Sequence, residues 1–279
     1  MKFKHYAFVP FLLAAVTSFA QAPADHLTQG TPKPLGAGQV RSFVKTDAKG
    51  VPTELGVAFT KEALDNLPQN CKTDKIPATS MWVICDGGKM NDALVTILNT
   101  PPAGASTHVK TMELSWLAYG HAPEHVWDKA QFDIHFNYDS PMGGLDESKF
   151  YVNPPTPDLP AGYEVLPHSG FPWNTPAQKF HSHSADPKSS PEFAGGPFTT
   201  NFLYTTYNGQ VLGYEPYVTL DYLKAQTTPK VIAVKTPAVY PKTGYYPTAM
   251  RVGWDESMKA YVIALEGFKQ FKAPAAAAK

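Results

Sequence analysis

Histidine and carboxylate side chains cluster in the nineteen residues from 120 to 138. They include His121, His125, Asp128, Asp133 and His135. Neutral imidazole is the commonest metal-binding side chain, and carboxylates often complete its sites. First-row divalent ions need three or four nitrogen or oxygen donors that converge from different segments. The cluster therefore predicts a site for one divalent metal ion, with zinc as the best fit to these donors.

The second half of this cluster has the alternating pattern of a β-strand. Its polar side carries Gln131, Asp133, His135 and Asn137, and its apolar side carries Phe132, Ile134, Phe136 and Tyr138. Side chains on a strand point alternately to opposite faces, so the four polar groups share one face. We expect that face to meet water or a cavity, where a rigid strand can present ligands.

Further histidines lie in the long loop-rich stretch from 166 to 197, at His168, His181 and His183. In an extended chain His181 and His183 point to the same side, so either could reach a metal bound by His121 and His135. Surface histidines in a solvated loop are the alternative interpretation. The spacing matches no established signature such as His-Glu-x-x-His.

Asp133 and Glu215 are the candidate carboxylate ligands. Asp133 shares the His135 face, although a cross-strand ion pair or a hydrogen bond that orients a histidine would explain it equally well. Glu215 interrupts an aromatic strand and precedes Pro216. Because proline cannot donate to a ladder, we expect an edge strand or a bulge there, where a side chain can be aimed toward a site. An exposed charge that protects a sheet edge is the alternative.

The N-terminus predicts export to the periplasm or the extracellular space. Residues 1–20 combine a basic start at Lys2 and Lys4 with a short apolar run and small residues before Ala20, as in a signal peptide. An N-terminal membrane anchor is the alternative. No later segment has the ~18 consecutive apolar residues of a transmembrane helix. The balance of 24 basic and 24 acidic residues argues against nucleic acid as a partner.

Cys71 and Cys85 are the only two cysteines of the chain. In an exported protein such a pair predicts one disulfide bond. Two thiolate metal ligands are the alternative, but no Cys-x-x-Cys spacing supports them. A serine nucleophile finds little support either, because the chain lacks a Gly-x-Ser-x-Gly elbow around Ser169.

Proline and glycine punctuate the chain and predict short strands and turns rather than long helices. Hairpins are expected around residues 47–50, 86–88, 208–209 and 255–257, the last two of these joining long alternating segments. Thr60 should cap a short helix over 61–67. The sequence thus predicts a mainly β protein, an antiparallel sandwich or barrel with a few short helices and long Pro/Gly-rich loops. We expect a flexible segment over 21–38, a single β-rich domain over 39–268 and a disordered tail over 269–279.

From about Gln39 to Phe268 the chain resembles an uncharacterised, domain-of-unknown-function family of secreted bacterial proteins. The resemblance rests on Gly-His-x-Pro at 120–123, Phe-Asp-x-His-Phe at 132–136, His183, and Glu-Pro-x-x-Thr at 215–219. It implies a metal site made of His121, His135, His183 and Glu215. The chain departs from the family pattern at Gln131, where a histidine is usual, and at His125, where glycine is usual. His125 would substitute for the missing histidine only if its loop bends inward.

These observations lead to two hypotheses. The first is an exported protein that binds one divalent metal, with Asp133 or Gln131 beside the ligands. An open coordination position would favour an enzyme, and four protein ligands would favour a structural metal. The second is a non-catalytic envelope or extracellular module, binding a small molecule or associating into a homo-oligomer, whose histidines are hydrogen-bonded polar groups.

Overall fold

The structure is a computed structural model that describes residues 26–67, 84–85, 89–90, 95–118, 120, 126–138, 159–165, 182–207, 210–240 and 242–274. The predicted signal segment, His121, His125 and Cys71 lie outside these residues. The disulfide bond between Cys71 and Cys85 therefore stays a prediction. Among the described residues, no helix is long and apolar enough to cross a membrane.

The described strands are β1 His26–Gln29, β2 Lys33–Leu35, β3 Gly38–Thr46, β4 Pro52–Phe59, β5 Ile84–Cys85, β6 Lys89–Met90, β7 Val95–Asn99, β8 Thr111–Leu117, β9 Gln131–Asn137, β10 Glu164–Val165, β11 Ser182–Ala185, β12 Thr200–Tyr207, β13 Gln210–Thr219, β14 Lys230–Ala233, β15 Gly244–Tyr246, β16 Ala249–Asp255, β17 Ala260–Glu266 and β18 Lys269–Phe271. The described helices are α1 Leu220–Ala225 and single 3-10 turns at Lys61–Leu64, Pro102–Thr107 and Pro191–Ala194. The fold is mainly antiparallel β, as the sequence predicts.

Two seven-stranded sheets dominate the described part of the chain. Sheet 1 has the order β1-β3-β4-β17-β16-β14, with β2 also paired to β3. Sheet 2 has the order β10-β11-β12-β13-β9-β8-β7. Their inner faces share one hydrophobic core, in which the Phe59 ring of sheet 1 lies 4.9 Å from the Phe132 ring of sheet 2. Two open sheets packed through a common core make a β-sandwich.

Three of the four expected hairpins form as predicted. β3 pairs with β4, β12 with β13, and β16 with β17. On either side of residues 86–88, β5 pairs with β6. The apolar segment expected to form the second strand of this hairpin is β7, which pairs with β8 instead. Thr60 also differs from expectation, because the helix after it is one 3-10 turn and Thr60 makes no side-chain cap. Its hydroxyl instead accepts a hydrogen bond from the backbone N–H of Gln39.

Both ends of the described chain are more regular than the sequence predicts. Strands β1 and β2, which fall in the segment expected to be flexible, pair with β3. Strand β18, at the start of the expected tail, pairs with β15. Each strand has only three or four residues, too few for the alternation of one face to stand out in sequence.

The outer face of sheet 1 carries an ion-pair network that joins β3, β4 and β16. Lys45 Nζ lies 2.8 Å from Glu54 and 3.0 Å from Asp255. Arg251 Nη1 lies 2.8 Å from Glu54 and 2.7 Å from Asp255. The two carboxylates are almost fully buried, so each depends on both cations for compensation.

Candidate functional site on the outer face of sheet 2

Strand β9 lies in the middle of sheet 2, between β13 and β8. Its apolar side chains Phe132, Ile134 and Phe136 point inward and belong to the shared core. Its polar side chains therefore lie on the outer face of sheet 2, the face turned away from sheet 1. The predicted alternation is confirmed. The expected contact with water is not: exposure is 0% for Gln131 and 4% for His135.

His135 and Glu215 form the centre of the outer face. His135 Nε2 lies 2.6 Å from Glu215 Oε1, and the two side chains are 4% and 2% exposed. The residues sit on the neighbouring strands β9 and β13, which pair with each other on either side of this contact. The two side chains that the sequence predicts as ligands, although far apart along the chain, are thus brought into direct contact.

Carboxylates surround the His135 imidazole. Burial acts to lower its pKa, but the charge and hydrogen bond of Glu215, together with the charges of Glu113 and Asp133, raise the pKa from 6.5 to about 9. Glu113 lies directly opposite His135 on β8. In the metal-free protein at neutral pH the imidazole is therefore protonated, and its contact with Glu215 is a buried ion pair.

Asp133 and Gln131 form a second polar contact on the same strand. Gln131 Nε2 donates a hydrogen bond to Asp133 Oδ1 at 2.7 Å. Gln131 therefore holds a carboxylate beside the His135–Glu215 pair. Tyr217 lies opposite Asp133 on β13. Burial, the charges of Glu215 and Asp133, and a hydrogen bond to Glu215 raise the pKa of Tyr217, so its hydroxyl stays protonated and donates.

An aromatic corner adjoins this polar group. The Trp127 ring packs edge-on against Tyr217, with ring centres 5.0 Å apart. The indole Nε1 of Trp127 donates to Glu192 Oε1 at 3.3 Å, and Asn201 Nδ2 donates to the same oxygen at 2.5 Å. Sequence reasoning missed Glu192 and Trp127 as site residues. The Pro-Glu-Phe sequence at 191–193 is the signal available, because a glutamate between two apolar residues in a short turn invites burial.

Five buried neutral polar atoms on the outer face have no hydrogen-bond partner within the described part of the chain: Thr111 Oγ1, Ser115 Oγ, Gln131 Oε1, Asn137 Nδ2 and Thr205 Oγ1. Each buried group left without a partner costs on the order of 1–3 kcal/mol. Their combined cost approaches the net stability of a domain, roughly 5–15 kcal/mol. These atoms therefore call for partners other than the described residues.

The strand register places these atoms on either side of the His135–Glu215 pair. Asn137 lies opposite Gly213, which lies opposite Thr205. Gly213 has no side chain, and a Cβ there would meet the Phe136 carbonyl oxygen at 2.1 Å. Glycine thus lets β13 approach β9 closely between Asn137 and Thr205.

Pro216 does not mark a sheet edge, contrary to expectation. Strand β13 is central in sheet 2, paired with β12 on one side and β9 on the other. The register between β13 and β9 includes Tyr214 opposite Phe136 and Tyr217 opposite Asp133, with no pair between them at Glu215 and Pro216. The missing proline N–H explains this gap. It falls where Glu215 meets His135.

Of the remaining predicted ligands, only His183 lies within the described residues. His183 lies on β11 opposite Thr205, so its position belongs to the outer face. Three strand intervals separate β11 from β9, about 14 Å between backbones at ~4.8 Å per interval. His121 and His125 lie outside the described residues. No group of three or more His, Cys, Asp or Glu residues in the described ranges could hold a metal ion.

The chemistry of the His135–Glu215 pair suits a metal, but its present spacing is that of a hydrogen bond. An imidazole nitrogen and a carboxylate oxygen are both good zinc donors. Two ligands of one tetrahedral zinc lie roughly 3.3 Å apart, given Zn–N distances near 2.1 Å. The observed 2.6 Å is shorter. A metal would have to displace the shared proton and separate the two atoms.

Comparison with known proteins adds no relative. No protein-family model, no curated protein and no solved structure matches this chain. The resemblance to an uncharacterised secreted family therefore stays a prediction.

Proposed function

We propose that this chain is an exported protein that binds one divalent metal ion, zinc in first place, on the outer face of sheet 2. The ligands in this proposal are His135 and Glu215, completed by His121 and His183. The observation that carries it is the direct contact of a buried imidazole with a buried carboxylate on two adjacent central strands. Rigid strands hold ligands in a fixed geometry better than loops do.

The surrounding charges support a cation at this position. Glu113 and Asp133 add two carboxylates near the His135–Glu215 pair, so three negative groups surround one imidazole. At a given distance, such a group attracts a doubly charged ion more strongly than it attracts a single positive charge. Metal binding requires a neutral imidazole, so uptake of the ion would release the proton that His135 holds at neutral pH.

A metal-free binding module is the second candidate. The 2.6 Å contact between His135 and Glu215 already gives each charged group a partner of opposite sign. A buried ion pair of this kind can fix the geometry of a polar site without any metal. In this case the outer face of sheet 2 would bind its ligand through hydrogen bonds alone.

Metal content separates the two candidates. The mature protein, purified without an affinity tag, is offered zinc, manganese or copper, dialysed, and measured by mass spectrometry. We expect about one equivalent of metal in the wild type. We expect its loss in Glu215→Gln, which keeps the size and hydrogen bonding of the side chain but removes the charge. His26→Ala, which changes an exposed histidine of β1, is the matched control and should retain the metal.

A wild type that remains metal-free with all three ions would refute the metal proposal and leave the binding module. Equal loss of metal in Glu215→Gln and in His26→Ala would place the ion elsewhere, because His26 has no part in the outer face of sheet 2. Circular dichroism of each variant checks that the fold persists.

A further inference from the structure

A single row of side chains crosses the outer face of sheet 2 and becomes more exposed along its length. From β12 to β7 the row contains Leu203, Glu215, His135, Glu113 and Ile97. The exposed fraction is 0% for Leu203 and 4% for His135. Glu113 is partly exposed, and Ile97 reaches 43%. The buried His135–Glu215 pair is therefore closest to solvent on its β8 side.

The other directions along the face are covered. Toward β12, Leu203 belongs to a small apolar cluster with Trp127 and Phe198. Along the strands, Tyr217 and Asn137 are both buried. Within the described part of the chain, an ion that arrives from solvent therefore comes nearest to the pair by way of β8.

Glu113 is the charged residue at that position. It lies directly opposite His135, and opposite residues of an antiparallel pair have Cβ atoms roughly 4.5–5.5 Å apart. No lysine or arginine pairs with Glu113 among the described residues. In this it differs from Glu54 on sheet 1, which both Lys45 and Arg251 hold. The charge of Glu113 is therefore available to a cation that approaches from outside.

Glu113 suits a transient contact with an ion better than a permanent one. Among the described residues, no three His, Cys, Asp or Glu side chains are arranged to hold a metal. Carboxylate oxygens bind divalent ions while the ion keeps part of its water shell. A glutamate side chain has several rotatable bonds, so at a partly exposed position it can turn between solvent and the sheet. Such a group can meet an ion first without keeping it.

We propose that Glu113 is the entry carboxylate of the outer face of sheet 2, which binds a hydrated divalent ion at the surface and passes it to His135 and Glu215. The ion exchanges a water molecule for an oxygen of Glu113 and later gives up that oxygen for the buried ligands. This inference rests on the proposed function, because it describes how the same site is filled. Glu113 thus sets the rate of metal uptake and not the number of ions bound.

Stopped-flow uptake of zinc tests the inference. Metal-free protein is mixed with zinc held by a weak fluorescent indicator, and the change in the indicator signal gives the uptake rate. The variant is Glu113→Gln, which keeps the shape of the side chain and removes its charge. We expect uptake to slow about tenfold at low salt, as the loss of a steering charge implies. The zinc content at saturation should equal that of the wild type.

Glu164→Gln is the matched control. Glu164 is an exposed glutamate of the same sheet, but it lies on β10, at the opposite edge from β7 and β8. This variant should take up zinc at the wild-type rate. Glu113→Asp keeps the carboxylate and should recover part of the lost rate. Added salt should slow the wild type more than Glu113→Gln, because salt screens the charge that the variant lacks.

Several results would overturn the inference. Uptake by Glu113→Gln at the wild-type rate would do so, as would equal slowing in Glu164→Gln. A lower zinc content of Glu113→Gln at saturation would also overturn it, since Glu113 would then be a lasting ligand. Circular dichroism of each metal-free variant checks that the fold persists.

Failure of this inference can be told apart from failure of the proposed function. A wild type that binds zinc at a rate independent of Glu113 refutes the entry role alone. A wild type that binds no zinc refutes the entry role together with the metal site.

Discussion

At the scale of single residues, His135 shows how neighbours decide the charge of a buried group. Burial alone would favour the neutral imidazole. Three carboxylates on β8, β9 and β13 outweigh that effect and raise the pKa to about 9. The same carboxylates would draw a divalent ion. The proton on His135 and the metal thus compete for one position, which makes pH the simplest probe of the pair.

The stability of the metal-free protein should fall as pH rises from 6.5 to about 9, the ordinary and the folded pKa of His135. The folded state holds a proton that the unfolded state has released in this range. The stabilisation is therefore complete below the ordinary pKa and is lost through the folded one. The slope should be at most about 1.4 kcal/mol per pH unit. Urea unfolding with a chelator present, at several pH values in this range, measures it.

His135→Gln is the control for this pH dependence. It removes the titrating group while keeping a polar side chain, so its stability should vary much less over the same range. A wild type whose stability is flat from neutral pH to mildly alkaline pH would mean that the imidazole is neutral in the folded state and that the contact with Glu215 is not an ion pair.

At the scale of strands, the gap in the ladder at Pro216 is the feature that most directly shapes the site. A residue with an N–H at this position could extend the pairing between β13 and β9, with a gain of about 0.5–1.5 kcal/mol. Loss of a proline increases the entropy of the unfolded chain and costs about 0.4–1 kcal/mol. The stability of Pro216→Val should therefore lie between about 0.5 kcal/mol below and about 1.1 kcal/mol above that of the wild type, while its metal affinity falls because Glu215 is held differently.

Pro34→Val provides the comparison, because Pro34 is exposed on the short strand β2. It shares the entropic cost and should be destabilised by about 0.4–1 kcal/mol. The denaturant midpoints of the two variants measure their changes in stability. Metal titration measures the affinity of Pro216→Val. Equal destabilisation of both variants would show that no ladder hydrogen bond is recovered at Pro216.

The ion-pair network on sheet 1 gives a second prediction at this scale. Arg251→Ala leaves the buried carboxylates Glu54 and Asp255 with Lys45 as their shared cation. We expect a loss of about 2 kcal/mol in the free energy of unfolding, between the values for exposed and fully buried pairs. Urea unfolding measures it.

Lys224→Ala is the matched control for the network, since its 3.7 Å pair with Asp65 is 46% and 61% exposed on the two sides. It should change stability by less than about 0.5 kcal/mol. Similar losses in Lys224→Ala and Arg251→Ala would contradict the view that burial makes the network on sheet 1 important.

Local signals in the sequence predict local structure well. The Asn208-Gly209 dipeptide, the residues after Asp255 and the alternation of β9 all identify their elements, because turn propensity and side-chain period are properties of a few adjacent residues. Other features depend on distant partners. Nothing near Pro216 indicates that β9 and β12 enclose its strand, and nothing near residue 97 shows that β7 pairs with β8 rather than with β5.

In the candidate site, too, some features could be predicted from the sequence and others depend on distant strands. The contact between His135 and Glu215 brings together two of the predicted ligands, and the full ligand set stays a prediction. The burial of that contact could not be foreseen, because alternation separates two faces without telling which of them is covered. Glu192 and the unsatisfied hydroxyls of Ser115 and Thr205 were also missed, since their importance comes from the strands opposite them.

At the scale of the whole molecule, one core unites the two sheets. Residues of sheet 1 and sheet 2 belong to the same buried cluster, and Phe132 lies between Phe59 and Trp116, with ring centres 4.9 Å away on each side. We therefore expect one cooperative unfolding transition. Phe132→Ala should lower stability by about 3–5 kcal/mol. Near- and far-ultraviolet circular dichroism should report the same shifted midpoint.

Phe271→Ala is the comparison, because Phe271 is only partly buried at the margin of the core. It should cost clearly less than Phe132→Ala. Two separated transitions in the wild type, or a Phe132→Ala variant that shifts only one spectroscopic signal, would show that the sheets unfold independently.

The position of β9 between β8 and β13 also has a consequence for how the chain is made. Synthesis proceeds from the N-terminus, so β8 and β9 emerge well before β13 can join them. During that interval β9 exposes an unpaired edge. One face of β9 carries polar and charged side chains, namely two side-chain amides, a carboxylate and an imidazole. These side chains make the strand a poor template for pairing with a foreign strand. The side chains proposed to bind a ligand in the finished protein would thus first protect the unfinished one from aggregation.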